Sequence, residues 1–301
     1  MMRTGPGLLA FFVISAGLSA QSGTGPTPAS GSPSLTEDQI RDLFRQVADA
    51  DLKNDKMQRD YTYTEREETR KLDGKGIVKS TESKTFDVMD LYGRQIHRLV
   101  AKDDKALSGD AARKEEERIQ KVVAQRKNED DQERQKREER NEKRREEDRQ
   151  FVREVADAYD FRLVGIESLE GRDTYVIDAE PRRGYQPQLK EAKILPKFRF
   201  RAWIDKREAE WKKLDIQSID TVSFGLVLVR LHKGSRIVLE QTRVNDEVWL
   251  PQHVAVKVDA RVLVKGINLE QDATYRDYKK FRADTKIVPV GEVAAPRAAP
   301  Q

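Results

Sequence analysis

Three histidines, His97, His232 and His253, and three aspartates, Asp178, Asp205 and Asp220, are the side chains with which this sequence could begin to do chemistry. Histidine is a frequent metal ligand and the side chain that titrates nearest neutrality, and facing carboxylates can share acid and base roles. Metal binding by few ligands needs short, fixed spacings. The histidines instead fall on three separate strand-like runs with no such spacing, so each reads as a strand-surface side chain. With 53 acidic residues a carboxylate pair can always be found, and the three aspartates stand out only weakly. No glycine-rich phosphate loop, nucleophile elbow or HExxH motif occurs. The expectation is a protein that is not an enzyme and needs no metal or cofactor.

The elements that would position any site are clearer. In Lys197 to Lys213, KFRFRAWIDKREAEWKK, the apolar residues Phe198, Phe200, Ala202 and Ile204 alternate with Arg199, Arg201 and Trp203. That period of two is a half-buried antiparallel strand. Four polar residues, Asp205 to Glu208, break it, and Ala209, Trp211, Leu214 and Ile216 resume it with a phase slip near Lys212 that a bulge would explain. A hairpin therefore stands at the centre of a larger meander.

Before it, Thr36 and Gln39 have capping-box spacing, and Leu35 and Ile40 sit where a hydrophobic staple would. Ile40, Leu43, Phe44, Val47 and Ala48 form one helical apolar stripe, which must cover something larger. Residues 61–100 read as three strands. Residues 110–158 are a charged helical insertion without Gly or Pro, and Gln125 to Gln150 contains no apolar residue. Its middle can be held only by local pairs such as Asp130 with Arg134, Glu133 with Arg137 and Glu139 with Lys143, so it projects into solvent or folds back near Asn128. A hairpin follows across Leu169-Glu170-Gly171-Arg172. The proline-containing loop 184–196 is either a lid over an apolar space or a crossing of the sheet edge. After the central hairpin come strands at 226–231, 237–244, 248–264 and 268–281, about eleven in all.

Export is expected from the N-terminus, where Arg3 precedes an apolar run, Leu8 to Leu18, and small residues follow. The run is too short to span a bilayer. Cleavage after Ala20 or after Ser22 fits. Residues 1–20 are thus read as a signal peptide, 21–34 as a flexible linker, 35–283 as one domain and 284–301 as a disordered tail. With no cysteine, the exported chain has no disulfides and depends on its core. Its 57 basic and 53 acidic residues nearly cancel, so net charge points to no nucleic-acid partner.

Phe198, Phe200, Trp203, Trp211, Phe224 and Trp249 cluster in the second half of the chain. Most must be sheet core, but so long a sheet curls and can enclose an apolar space. The apolar run at the N-terminus, the helix from Thr36, the meander, the segment FRFRAWIDKREAEWKKLDIQ and the later VWLPQHVAVKVDARVLVKG together resemble the outer-membrane lipoprotein-sorting (LolA-like) superfamily. The resemblance implies an α+β fold, mainly β, in which an open half-barrel is capped by helices. It also implies a periplasmic binder of lipid or lipoprotein acyl chains. Leu43, Phe44, Val47, Phe198, Phe200, Ala202 and Ile204 are the expected ligand contacts. The charged insertion departs from the family pattern and suggests the alternative, an envelope adaptor or stress sensor that binds a protein partner.

Overall fold

A computed structural model describes residues 35–90, 95–224 and 229–280. The expected signal peptide, linker and tail, the turn at Gly93 and residues 226–228 lie outside the described residues.

Helix α1 (Glu37–Gln58) begins where the capping box places it. Thr36 Oγ1 accepts the Gln39 N–H at 3.3 Å, and Gln39 Oε1 accepts the Thr36 N–H at 2.8 Å. Leu35 and Ile40 both join the apolar core on either side of this cap, as a hydrophobic staple should. Strands β1 (Tyr61–Leu72), β2 (Val78–Asp90), β3 (Gln95–Lys102) and β4 (Lys105–Ala106) follow, then helices α2 (Gly109–Lys127) and α3 (Asp131–Ala158). The remainder comprises β5 (Tyr159–Leu169), β6 (Arg172–Pro181), a 3-10 helix (Glu191–Lys197), β7 (Phe198–Asp205), β8 (Trp211–Ser218), β9 (Val222–Phe224), β10 (Val229–Leu231), β11 (Arg236–Val244), β12 (Val248–Val262) and β13 (Lys265–Lys280).

All thirteen strands share one antiparallel sheet, in the order β4-β3-β2-β1-β13-β12-β11-β8-β7-β6-β5, with β9 and β10 branching beside β12. The chain is mainly β, and the curled sheet is not closed into a barrel. The count exceeds the expected eleven because β4 has two residues and β9 three, too few to show a period of two. The β5–β6 hairpin turns on Glu170 and Gly171, both at positive φ (50° and 75°), a geometry that matches the strands' right-handed twist. In β7–β8, Trp203 pairs with Lys213 but Ile204 with Trp211. Lys212 is therefore the bulged residue, and its ammonium donates to Leu169 O at 2.7 Å and Glu170 Oε2 at 2.8 Å.

Alternation divides the sheet into two faces. Ile177, Ala202, Ile204, Leu214, Leu239, Val254 and Ala273 put one face into the main core. The other carries a charged ladder in which Asp272, His253, Glu240 and Lys213 make successive contacts of 2.7, 3.1 and 2.6 Å. Lys213 then lies over Trp203, whose Nε1 donates to Glu167. Glu240, fixed first by its hydrogen bond to His253, titrates at about 2, and the same bond raises His253 to about 9.

The charged insertion folds back: α2 ends at Lys127 and Asp130 caps α3. Ile119 on α2 is buried against Ile96. The expectation that only local pairs hold the middle is corrected. Within that middle Arg145 reaches Asp55, and beyond it, at the end expected to dock, Arg153 reaches Asp49 and Asp157 takes Arg45, so three ion pairs lay α3 along α1. The local partners also differ, with Arg137 on Glu129, Arg134 on Asp131 and Lys143 on Glu147. Once a second helix is alongside, charged side chains choose partners by position in space, not by spacing in sequence.

Candidate functional site

The central strand positions the site by parity. Phe200 lies opposite Ala179 and Ile216, Ala202 opposite Ile177 and Leu214, and Ile204 opposite Tyr175 and Trp211. The N-terminal half of α1 covers this face. Phe44 stacks on Phe161 at 4.5 Å and meets Phe200 edge-on at 5.8 Å, while Tyr159 meets Phe200 at 4.9 Å. Phe44, Val47, Ala202 and Ile204 are buried in one cluster, with Leu43 and Phe200 half-buried against it. Phe198 is buried on the same strand but stands outside that cluster. The structure thus brings six of the seven expected contacts together, in direct packing. Partly buried Ile216, Val258 and Tyr275 continue the apolar surface toward β13.

Loop 184–196 does more than cross the sheet edge. Ala192 and Leu195 are buried in the core, and Tyr185 and Leu189 pack against it. Glu154 of α3 holds the loop there, accepting from the Tyr185 hydroxyl and the Gln188 N–H at 2.6 Å each and from the Leu189 N–H at 3.0 Å. The 3-10 helix is anchored by the Tyr159 hydroxyl, which donates to Leu195 O at 2.8 Å.

The C-terminal half of α1 meets the sheet through polar groups. Asn54 grips the Trp249 backbone, donating to its carbonyl and accepting from its N–H, each at 2.7 Å. Trp249 Nε1 donates to Glu208, which also takes Arg172 and Arg243, and both guanidinium groups lie over the Trp249 ring at 5.2 and 6.0 Å. A cleft of 380 Å³ opens here, lined by Lys53, Asn54, Glu208, Glu210, Arg243 and Trp249 among others. Glu210 is 5% exposed, and its Oε2 meets no hydrogen-bond donor. Burial, with Asp51 and Glu208 nearby, pushes its carboxyl up to about 8 despite Arg243. Asp51, facing Trp211 and raised chiefly by burial and also by Asp55 and Asp148, stands at about 6.

The six residues that opened the sequence reading do not converge. His97 pairs with Glu65 at 3.0 Å, and His232, in the turn after β10, with Asp259 at 3.0 Å. Asp178 takes Arg162 and Arg201, Asp220 takes Lys197, and Asp205 takes Arg172 together with the N–H groups of Arg207 and Glu208. Among the described residues no group of three or more His, Cys, Asp or Glu is arranged to hold a metal ion. No described helix is long and apolar enough to cross a membrane. Sequence reasoning missed Asn54, Asp51 and Glu210. The first two sit in phase with the buried stripe of α1, a signal that was present; Glu210 has none among 53 acids.

No family profile and no curated relative matches the sequence. Among solved structures, the chain is similar to an outer membrane lipoprotein-sorting protein domain from Vibrio parahaemolyticus, with 10% identity and a TM-score of 0.34 over 81% of this chain and 95% of that one. It is similar to a LolA superfamily protein from Nitrosomonas europaea at 12% identity and TM-score 0.28, over 83% and 94%. It is also similar to the Pseudomonas aeruginosa MucA/MucB complex structure at 11% identity and TM-score 0.21, over 81% and 99%. Function has to be argued from this chain's own geometry.

Proposed function

We propose that this chain is a non-catalytic periplasmic binder of an apolar chain, a lipid or lipoprotein acyl group held on the concave face beneath α1. The observation that supports it is the continuous apolar surface of that face. It runs from Phe161 and Phe200 under the helix to Val258 and Tyr275, and α1, the C-terminal end of α3 (Phe151, Val155, Ala156) and the 184–196 segment pack over it. An open sheet offers such a face on one side and solvated charge on the other. In the structure the Phe44 ring occupies the space between Phe161 and Phe200, so an acyl chain takes over these contacts as α1 lifts. The exchange is close to neutral, because apolar area leaves one apolar partner for another. Leu43, Phe44, Val47, Phe200, Ala202 and Ile204 then line the ligand, with Phe198 at the strand's end.

Displacement of a fluorescent fatty acid tests this reading, and mass spectrometry of lipids retained on the purified protein names the ligand. Failure of the wild type to bind any apolar probe refutes it. The adaptor alternative is favoured by a separate observation, the exposed charged surface of α3. Removing residues 109–150 separates the two: loss of a co-purifying protein with probe binding kept supports the adaptor.

A further inference from the structure

We propose that the adjoining tips of the β1–β2 and β12–β13 hairpins form a docking surface for an anionic lipid bilayer. This inference does not depend on a ligand beneath α1. Six large apolar residues are exposed among those described, and four of them lie on these two tips. Ile77 is 62% exposed, Val78 48%, Leu263 63% and Val264 96%, against 38–39% for Met57 and Val164. The tips are neighbours because β1 pairs with β13. Leu72 faces both Val78 and Asn268, so both turns leave the sheet at the same end.

The β12–β13 turn breaks the local rules. Val262 pairs with Lys265, leaving Leu263 and Val264 as a two-residue turn, and Leu263 adopts φ 55°. Turns of this kind favour Gly, Asn or Asp, because a side chain is strained at positive φ. Here the strained position holds leucine, and the next holds a β-branched residue projecting into solvent. Neither joins a described core cluster, so folding gains nothing from either side chain. A choice that opposes local preference without a packing return marks a functional position.

Charge identifies the occupant. Lys71, Lys75, Lys79, Arg261 and Lys265 are exposed around the aliphatic residues, and none forms an ion pair among the described residues. The nearest acid on the first tip, Asp73, is turned onto its own loop, where Oδ1 accepts the N–H of Lys75 at 2.8 Å and of Ile77 at 2.9 Å. Aliphatic side chains that enter the interfacial layer, ringed by cations that meet lipid phosphates, are the two components of peripheral membrane attachment. A protein groove would engage the aliphatic residues but gives no role to five unpaired cations.

Co-sedimentation of the purified protein with phosphatidylcholine vesicles, with and without phosphatidylglycerol, tests the proposal. The wild type should sediment with the anionic vesicles and remain largely soluble with the zwitterionic ones. Replacing Leu263→Gly and Val264→Ser together should weaken binding by about tenfold or more, since one tip no longer buries apolar area. The melting temperature should hold or rise, because glycine suits that φ. Lys75→Glu with Lys265→Glu should abolish the preference for anionic lipid, and Val164→Ser should change nothing. A wild type that stays in the supernatant with anionic vesicles overturns the proposal. So does a Leu263→Gly/Val264→Ser protein that binds like wild type, or concentration-dependent self-association through the tips without lipid.

Discussion

Replacing Glu210 with glutamine should stabilise the protein in alkaline solution and leave it unchanged in acid. The carboxyl is buried beside Asp51 and Glu208, and burial above all raises it from 4.5 to about 8. Below pH 4.5 it is protonated in both folded and unfolded chains, and its contribution to stability is fully present. Between 4.5 and 8 the unfolded chain ionises while the folded one resists, so stability falls, and above about 8 the loss is complete. A shift of that size corresponds to a loss on the order of 5 kcal/mol, reduced by whatever water or Arg243 supplies once the charge forms. Glutamine, neutral at every pH and close in shape, removes that slope. Urea unfolding of both proteins at pH 5 and pH 8.5 measures it. His253, raised to about 9, adds a slope of the same sign between 6.5 and 9, and Asp51 adds one between 3.8 and 6. Only the difference between the two proteins therefore isolates Glu210. The expected difference at pH 8.5 is about 2–5 kcal/mol in favour of glutamine, falling to below about 1 kcal/mol at pH 5. Equal pH dependence in the two proteins refutes the buried-acid reading of the cleft. Asp51→Asn should flatten the remaining slope by less than its own share, because the two carboxyls are coupled.

Phe200→Glu places a carboxylate among the rings of Phe44, Tyr159 and Phe161 and should lower the melting temperature by about 10 °C or eliminate probe binding, given a penalty of several kcal/mol. Phe200→Leu keeps the site apolar, costs below about 1.5 kcal/mol and alters which acyl chain lengths are held; Arg201→Ala, on the charged face, should cost about 1 kcal/mol or less. Control of binding by Arg201 instead of Phe200 would reverse the face assignment. Asn54→Ala leaves the Trp249 N–H without its buried acceptor, while the carbonyl keeps the Gln58 amide at 3.0 Å, for a loss of about 1–3 kcal/mol; if the C-terminal half of α1 holds through that grip, its amides should also exchange faster with deuterium. Excising residues 113–148 exposes Ile96 and removes the Arg145 contact to Asp55, so the melting temperature should drop by several degrees, and an unchanged value would mean α3 docks without contributing stability.

The sequence alone determined the local elements, because each rests on short-range physics. The Thr36 capping box, the stripe from Ile40 to Ala48, the Glu170-Gly171 turn and the parity of Phe198 to Ile204 depend on residues only a few positions apart. The bulge at Lys212 was visible as a slip in a period of two. Even the covering of that strand by α1 followed, since both apolar faces need a partner and no other helix has so continuous a stripe. Tertiary structure decided what depends on which residues become neighbours. The short strands β4 and β9 exist only because β3 lies beside the first and β10, itself held on β12, beside the second. The charged helix α3 is carried on α1 by Arg145, Arg153 and Asp157, whose partners are about a hundred residues away, at Asp55, Asp49 and Arg45. The elevated acid at Glu210 arises from burial and from Asp51 on another element, two quantities that no spacing encodes. Exposure of Leu263 and Val264 is likewise a fact of the folded hairpin: the apolar run VLV reads as strand, and only the register of β12 against β13 turns its centre into a tip.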